Sequence, residues 1–437
     1  MQHVFIIGFG LTGKALLKYY QSQGCYVTIF DDKISKLDNY YSIIEKVDLV
    51  VFTPGVKESH LLIAYAKKLG KKILPSLDAE FLEYKKIITD QKIVGVTGTN
   101  GKTTTTLLLS KILSNSYIAG NVGMPWMDAF DFSKKVAVLE LSSFQLKNIK
   151  FFSPNIAVLL NIKPDHLDWH SSEDDYVNSK FKILQNINKT DFVVANYDDL
   201  VIREQVLKTK CKKFFFGFSN QHEGLFCDFV SIYLKNRNSK IKLLDCVDIP
   251  LIGKHNLQNV MSAICVALIL GESVTDIKKR ISQFVAPEFR LQEIDCQFVR
   301  NNEIKVINDS KSTNLASTLT ALDCFAKNVI LFVGGIDKNE NLNLLFSKEN
   351  KNKLKAVITF GKSKDKFFAV AKNNGYKNIT KFENIYEATD YAKEIAKKGD
   401  VVLFSPACAS FDQFSSYIER GNVFNELISK DTKTNAT

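Results

Sequence analysis

Short apolar, β-branched runs alternate with stretches of helical periodicity along most of the chain. In the first segment the pattern predicts strands over 4–7, 27–30, 47–52 and 72–74, with helices over 12–23 and about 59–69. The second segment opens with a strand over 93–97 and a helix over 105–113. Strands over 136–139, 156–160 and 192–195 follow, then a helix over 257–270. The third alternates again, with strands over 304–307, 329–333, 356–360 and 401–404 and helices over 315–325, 364–373 and 385–396. Strands separated by helices predict an α/β fold of parallel sheets. The polar stretch Glu83-Tyr84-Lys85-Lys86, continuing to Asp90-Gln91-Lys92, suggests a first boundary, and Ala286-Pro287 a second.

Composition narrows this picture only a little. A chain of 437 residues exceeds one ordinary core, so two or three domains are expected. Hydrophobic residues at 45% and charged residues at 24% are the balance of a soluble globular protein. No apolar run approaches the roughly 18 residues of a membrane span. The start, Met1-Gln2-His3-Val4-Phe5-Ile6-Ile7-Gly8, enters a strand without a basic region, so no signal peptide is expected. The eight cysteines are scattered without a Cys-x-x-Cys pair and read as reduced residues of a cytosolic protein. The net charge of +11 is spread along the chain, which suits anionic small substrates and gives no dense nucleic-acid patch.

The sharpest chemical signal is Gly98-Thr99-Asn100-Gly101-Lys102-Thr103-Thr104, between a strand and a helix. This is the layout of a phosphate-binding loop. Backbone N–H groups and the helix N-terminus face the phosphates, Lys102 reaches the outer ones, and the Thr103 hydroxyl suits a magnesium ion. The strict pattern wants glycine five positions before Gly101; Val96 stands there, so Gly98 is expected to make the turn. An ordinary strand-to-helix turn is the plain alternative.

Gly8-Phe9-Gly10-Leu11-Thr12-Gly13 satisfies G-x-G-x-x-G after a strand, with Asp31 and Asp32 at the tip of the next. A diphosphate on this helix N-terminus is implied, from a nicotinamide dinucleotide or a UDP-sugar; an unliganded glycine turn is the alternative. Glu140 ends an apolar strand and is placed to bind magnesium, or else is a capping residue. Asp165-His166-Leu167-Asp168 follows another strand and Asn161, a setting for a metal or substrate ligand, although lone histidines usually have no such role. Asn308-Asp309-Ser310-Lys311-Ser312-Thr313-Asn314 is a polar turn at a helix start, beyond what capping needs. Gly334-Gly335-Ile336-Asp337-Lys338 and Ser405-Pro406-Ala407-Cys408-Ala409-Ser410-Phe411-Asp412-Gln413-Phe414 end two further strands, where open α/β sheets hold ligands.

Taken together, residues 8–13, Leu139-Glu140-Leu141-Ser142-Ser143-Phe144-Gln145-Leu146, Asn308-Asp309-Ser310-Lys311 and residues 405–414 resemble the Mur ligases, ATP-dependent amide-forming enzymes of peptidoglycan synthesis, over essentially the whole chain. The likeness is to the branch that adds D-glutamate to UDP-N-acetylmuramoyl-L-alanine. The Asp-Asn-Pro-Arg run of the next branch does not occur in the last segment. The resemblance implies three domains: a Rossmann-like UDP-binding domain over 1–88, a central P-loop ATPase-type domain over 89–286, and a Rossmann-like amino-acid-binding domain over 287–437. It implies UDP-substrate contacts at Leu11, Thr12, Asp31, Asp32, Thr53, Asn121 and His166, with Thr53 where serine is commoner. ATP contacts are implied at residues 98–104 and at Asn256, Asn259, Arg290, Asp309 and Lys311. Thr103, Glu140, His166 and a carbamylated Lys180 match the ligands of magnesium, two ions being expected. Thr313, Lys338, Ser410 and Tyr417 match the D-glutamate pocket, with phenylalanine commoner at the last. Lys102, Lys180 and His166 are the implied catalytic residues.

The implied mechanism forms an acyl phosphate from ATP and the substrate carboxylate, which the amine of D-glutamate then attacks. Water must be excluded, which suggests closure of the last domain over the central one. A cytoplasmic monomer is expected, without nucleic acid or membrane insertion. A folate polyglutamate ligase has no need of residues 8–13 as a UDP site. A nicotinamide-dependent oxidoreductase leaves residues 98–104 unexplained. A non-catalytic nucleotide-binding module leaves Glu140, His166 and Lys180 without a role.

Overall fold

Three sheets hold the described chain together, and each brings its functional turns to one edge. The computed structural model describes residues 1–430 other than 88, 89, 164, 167 and 168. The first sheet is formed by β1 (His3–Ile7), β2 (Tyr26–Phe30), β3 (Leu49–Phe52) and β4 (Lys72–Pro75), all parallel in the order β2-β1-β3-β4. The order reverses between β1 and β3, and residues 8–13 and Thr53 follow these two strands. That crevice is where an open parallel sheet holds a ligand.

The second sheet contains β5 (Lys92–Thr97), β6 (Ser116–Gly120), β7 (Val136–Glu140), β8 (Ile156–Leu159), β9 (Phe192–Asn196), β10 (Lys212–Gly217), β11 (Gly224–Cys227), β12 (Ser231–Lys235) and β13 (Lys240–Asp245). Their order is β13-β12-β11-β10-β9-β8-β5-β7-β6, parallel from β6 through β11, with β12 and β13 antiparallel. The third sheet orders β14 (Gln292–Glu293), β15 (Lys305–Asn308), β16 (Val329–Gly334), β17 (Leu354–Phe360), β18 (Ile379–Phe382) and β19 (Val401–Ala407) as β14-β15-β19-β16-β17-β18, with only β14 antiparallel. The central strands are buried on both faces, so their sequences are near-continuous apolar runs; β8, Ile-Ala-Val-Leu, is buried throughout.

The described chain divides into two compact units. Met1–Pro250 with Asn256–Phe284 carries the first two sheets, and Leu251–His255 with the chain from Val285 onward carries the third. The polar stretch 83–92 is not a linker over its first part: the helix Ser76–Ile87 runs through Glu83 to Lys86. Its other face explains this, because Leu77, Phe81 and Tyr84 pack into the core under the second sheet. Residues 88 and 89, where the expected first boundary falls, lie outside the described residues. Among the described residues no helix is long and apolar enough to cross a membrane, and the eight cysteines are free thiols.

Candidate active site

The loop after β5 is built by close approach. Val96, where the strict phosphate-loop pattern has glycine, is a fully buried strand residue. The turn falls to Gly98, where a Cβ would lie 2.9 Å from Leu160 Cβ. Gly101 has φ +87°, and a Cβ there would meet Asn259 Oδ1 at 2.2 Å. Asn161, just past β8, clamps the loop. Its Oδ1 accepts from the Asn100 N–H at 2.9 Å, its Nδ2 donates to Asn100 O at 3.0 Å, and its carbonyl accepts from the Thr99 N–H at 2.8 Å. The helix Lys102–Ile112 starts at once, so its N-terminal positive potential lies on this loop. Asn259 Nδ2 donates to Asn256 Oδ1 at 3.0 Å, and both residues are buried.

Two lysines converge on the loop. Lys102 Nζ donates to Gly98 O at 2.8 Å and Thr99 O at 2.9 Å. Lys180, only 1% exposed, donates to the same Gly98 O at 2.9 Å. Burial pushes the Lys180 amine well below its usual range; the Lys102 charge adds to this and Asp165 opposes it. Its Nζ lies 4.7 Å from the ring centroid of Tyr176, whose hydroxyl meets Thr99 Oγ1 at 2.9 Å.

Glu140 ends β7 opposite Val96 of β5. It is 1% exposed, and its Oε1 accepts from Asn121 Nδ2 at 2.8 Å while Oε2 has no hydrogen-bond partner among the described residues. A buried carboxylate oxygen left in this state fits a cation as its missing partner. Thr103 stands in the first turn of the loop helix. His166 has φ 54°, and its ring lies 5.0 Å from that of Phe144, four residues past Glu140 in the chain. The donor set Thr103, Glu140, His166 and Lys180 is oxygen-rich only if Lys180 carries a carbamate. Among the described residues, no three His, Cys, Asp or Glu side chains form a metal cluster. Leu167 and Asp168 lie outside the described residues.

In the first sheet, Gly13 packs so closely that a Cβ would meet Gly8 O at 2.1 Å, whereas one at Gly10 would meet no protein atom within 4 Å. Leu11 is exposed and Thr12 half-buried at the start of the helix Leu11–Ser22. A Cβ at Gly8, φ +96°, would strike Thr53 Oγ1. Asp31 accepts from the Phe9 N–H at 2.8 Å and the Lys33 N–H at 3.0 Å, which hold its carboxyl below the usual range. It therefore buttresses the glycine turn. Asp32 is exposed and meets His60 Nε2 at 3.3 Å.

In the third sheet the turns after β15, β19 and β16 lie side by side, because these strands are neighbours. Asp309 is buried, accepting from the Ser312 and Ser405 hydroxyls and, at 3.2 Å, from the Leu291 N–H. Burial pushes its carboxyl up to about 6 against those hydrogen bonds. Lys311 Nζ lies 4.0 Å from the Tyr417 ring centroid. Thr313 and Arg290 are half-buried, Ser410 is buried and Lys338 exposed. Asn314 caps the helix Leu315–Leu322. Beneath these turns lies Arg420, fully buried, which sequence reasoning missed. It donates to Ser310 Oγ at 3.1 Å, Ser310 O at 2.8 Å and Cys408 O at 2.9 Å. Asn161 is signalled in the sequence only by its place after a strand, Ser143 only by its place in the run 139–146, and His170 and Asp175 by nothing.

Comparison with known proteins then decides the family. The model of the Mur ligase middle domain matches residues 96–267, and that of the Mur ligase glutamate ligase domain matches residues 295–408. The UDP-N-acetylmuramoylalanine–D-glutamate ligase of Caldicellulosiruptor saccharolyticus is 34% identical over 455 residues, covering 98% of each chain. The chain belongs to the Mur ligase family. It is an ATP-dependent amide-forming ligase, as the sequence resemblance implied. The enzyme of the same name from Aquifex aeolicus is 35% identical over 431 residues, covering 96% of this chain and 97% of that one. Among solved structures, the UDP-N-acetylmuramate–alanine ligase of Thermotoga maritima aligns with a TM-score of 0.60 at 19% identity, covering 98% and 99% of the two chains. The MurF ligase of T. maritima, in complex with ADP, aligns with a TM-score of 0.62 at 18% identity, covering 98% and 94%. These Mur ligase structures share the three-domain α/β fold with this chain.

Proposed function

We propose that this Mur ligase joins the amine of D-glutamate to the free carboxylate of UDP-N-acetylmuramoyl-L-alanine, converting ATP to ADP and phosphate, as a cytoplasmic monomer in peptidoglycan precursor synthesis. The kinship over nearly full length to ligases bearing that substrate pair in their names supports the substrates. The observation that carries the chemistry is the phosphate loop with two lysines on Gly98 O and the buried, unpartnered Glu140 oxygen on the adjacent strand.

The roles follow from the residues. The amides of residues 98–104 and Lys102 would hold the ATP phosphates, with Asn256, Asn259, Arg290, Asp309 and Lys311 as further ATP contacts. Thr103, Glu140, His166 and carbamylated Lys180 would hold magnesium, in two ions. When bound, magnesium neutralises charge on the phosphoryl oxygens. A neutral lysine amine is the form that adds carbon dioxide, and burial beside Lys102 keeps Lys180 toward that form. The diphosphate and uridine would sit on the turn 8–13 with Leu11, Thr12, Asp31, Asp32 and Thr53, and Asn121 and His166 on the muramoyl side. Thr313, Lys338, Ser410 and Tyr417 would take D-glutamate. The three domains would be 1–88, 89–286 and 287–437.

A carboxylate is a poor acyl donor because oxide must leave. Transfer of the γ-phosphoryl group makes an acyl phosphate, the D-glutamate amine attacks its carbonyl carbon, and phosphate departs. The preorganised amides and Lys102 act where negative charge grows in that transfer. The test is phosphate release by the purified protein with ATP, magnesium and each substrate alone or together. Release only with both UDP-N-acetylmuramoyl-L-alanine and D-glutamate is expected. Equal turnover with L-alanine as amine would overturn the D-glutamate assignment.

A further inference from the structure

Of the four chain segments on which the proposed metal site draws, one buried histidine touches three, those of Glu140, His166 and Lys180. His170 is 4% exposed. Its Nε2 lies 3.0 Å from Ser143 Oγ, three residues past Glu140. Its Nδ1 lies 3.3 Å from Asp175 Oδ2, on the helix Glu173–Phe181 that carries Lys180. Its backbone N–H donates to His166 O at 3.0 Å. The carboxylate can only accept, so Nδ1–H donates to Asp175 and Nε2 accepts from the Ser143 hydroxyl. The ring also stacks on Phe144, with centroids 5.6 Å apart and planes 13° apart. Asp175 is fixed in turn by Lys147 Nζ at 2.6 Å and by the Ser171 N–H and hydroxyl at 3.0 and 3.1 Å.

The sequence Ser143–His170–Asp175 has the order of a nucleophile, base and orienting acid. Burial argues against that use, since Ser143 is 2% exposed and no substrate reaches its hydroxyl. What the chain of hydrogen bonds does instead is fix the loop after Glu140 against the helix of Lys180, with the carbonyl of His166 held by the same residue. We propose that His170 is a positioning residue of the metal site, setting the separation of Glu140, His166 and Lys180 through Ser143 and Asp175. This rests on the assignment of those three residues to magnesium. Outer partners of metal ligands act in this way by orienting what they touch.

The experiment uses the full-length protein with ADP and Mn2+, the bound fraction being read from the loss of the free Mn2+ electron paramagnetic resonance signal. His170→Gln keeps a group near Nε2 and loses the donor to Asp175; Ser143→Ala removes a single hydroxyl. Each should weaken Mn2+ binding about tenfold. The double variant should be no weaker than the worse single one, because both break one chain of contacts. His170→Asn, which keeps a donor near Nδ1, should recover part of the loss in His170→Gln. Urea midpoints are measured alongside. A folded His170→Gln with wild-type Mn2+ affinity would make the histidine purely structural and overturn the proposal. If His170→Gln does not fold, Ser143→Ala decides alone, and unchanged affinity there overturns it. Glu140→Gln separates the premise: Mn2+ binding that survives this change removes the site assignment itself, whereas loss in Glu140→Gln with none in Ser143→Ala removes only the positioning role.

Discussion

Glu80 gives the prediction with the clearest magnitude. It lies on the helix Ser76–Ile87, is 3% exposed, and its Oε1 has no hydrogen-bond partner among the described residues. Burial pushes its carboxyl up to about 8; a hydrogen bond from the Met127 backbone opposes this and the Asp128 charge adds to it. In the unfolded chain the group returns to the ordinary 4.5. Between those values the folded protein holds a proton that the unfolded chain has lost. Stability therefore falls as pH rises through that window, at up to about 1.4 kcal/mol per pH unit and on the order of 5 kcal/mol in all. Glu80→Gln keeps the shape and is neutral at every pH, so it should remove this slope. Any cost of placing the amide is the same at each pH and leaves the slope untouched. Urea unfolding can be followed by Trp126, whose ring lies 5.0 Å from that of Tyr84 on the same helix. From pH 5.5 to 7.5 the wild type should lose about 2 to 3 kcal/mol relative to the variant. Parallel pH profiles for the two proteins would refute the argument, because they would mean that Glu80 titrates alike in both states.

Other outcomes follow from the proposed site. Lys102→Ala should lower kcat by about 100- to 1,000-fold in the phosphate-release assay and leave the urea midpoint nearly unchanged, since the residue is only partly buried. Lys180→Arg keeps a cation but cannot form a carbamate and should be almost inactive; Lys180→Glu should recover a little activity, and a 13C-labelled carbamate signal should appear in the wild type alone. Gly101→Ala forces a Cβ to φ +87° and onto Asn259, so ATP affinity measured by calorimetry should fall along with about 1–2 kcal/mol of stability.

The inner parallel strands were legible because burial on both faces leaves runs such as Val-Ile-Leu-Phe-Val in β16. The edge strands β6, β13, β14 and β18, and the strands β10 to β12 that lead to β13, escape that pattern. β13 begins with exposed Lys240, Ile241 and Lys242, so no apolar run marks it. The helix Ser76–Ile87 was hidden because its polar face, Glu83 to Lys86, reads as a linker unless Leu77, Phe81 and Tyr84 are followed on the other side. The phosphate loop was legible from Gly-Lys-Thr and its flanking elements, even with Val96 in place of glycine. Asp31 was found, but its hold on the Phe9 N–H was not. His170 and Arg420 could not be read at all. Their meaning lies in partners 27 residues away, at Ser143, and 110 residues away, at Ser310.

Arg420 limits how the third-sheet unit, proposed above to take the amino acid, can be altered. Its acceptors are the hydroxyl and carbonyl of Ser310 on one turn and the carbonyl of Cys408 on another, with no carboxylate among them. Backbone carbonyls cannot be changed by substitution, so the guanidinium constrains the path of both turns whatever side chains they bear. A loop transplanted from a relative that prefers another amine would have to deliver its carbonyls to the same places, or leave a buried cation short of partners. The proposed D-glutamate specificity is therefore best explored by changing side chains at Thr313 or Ser410 within the existing turns, and only afterwards by exchanging both turns together with the helix Tyr417–Ser429 that bears the arginine.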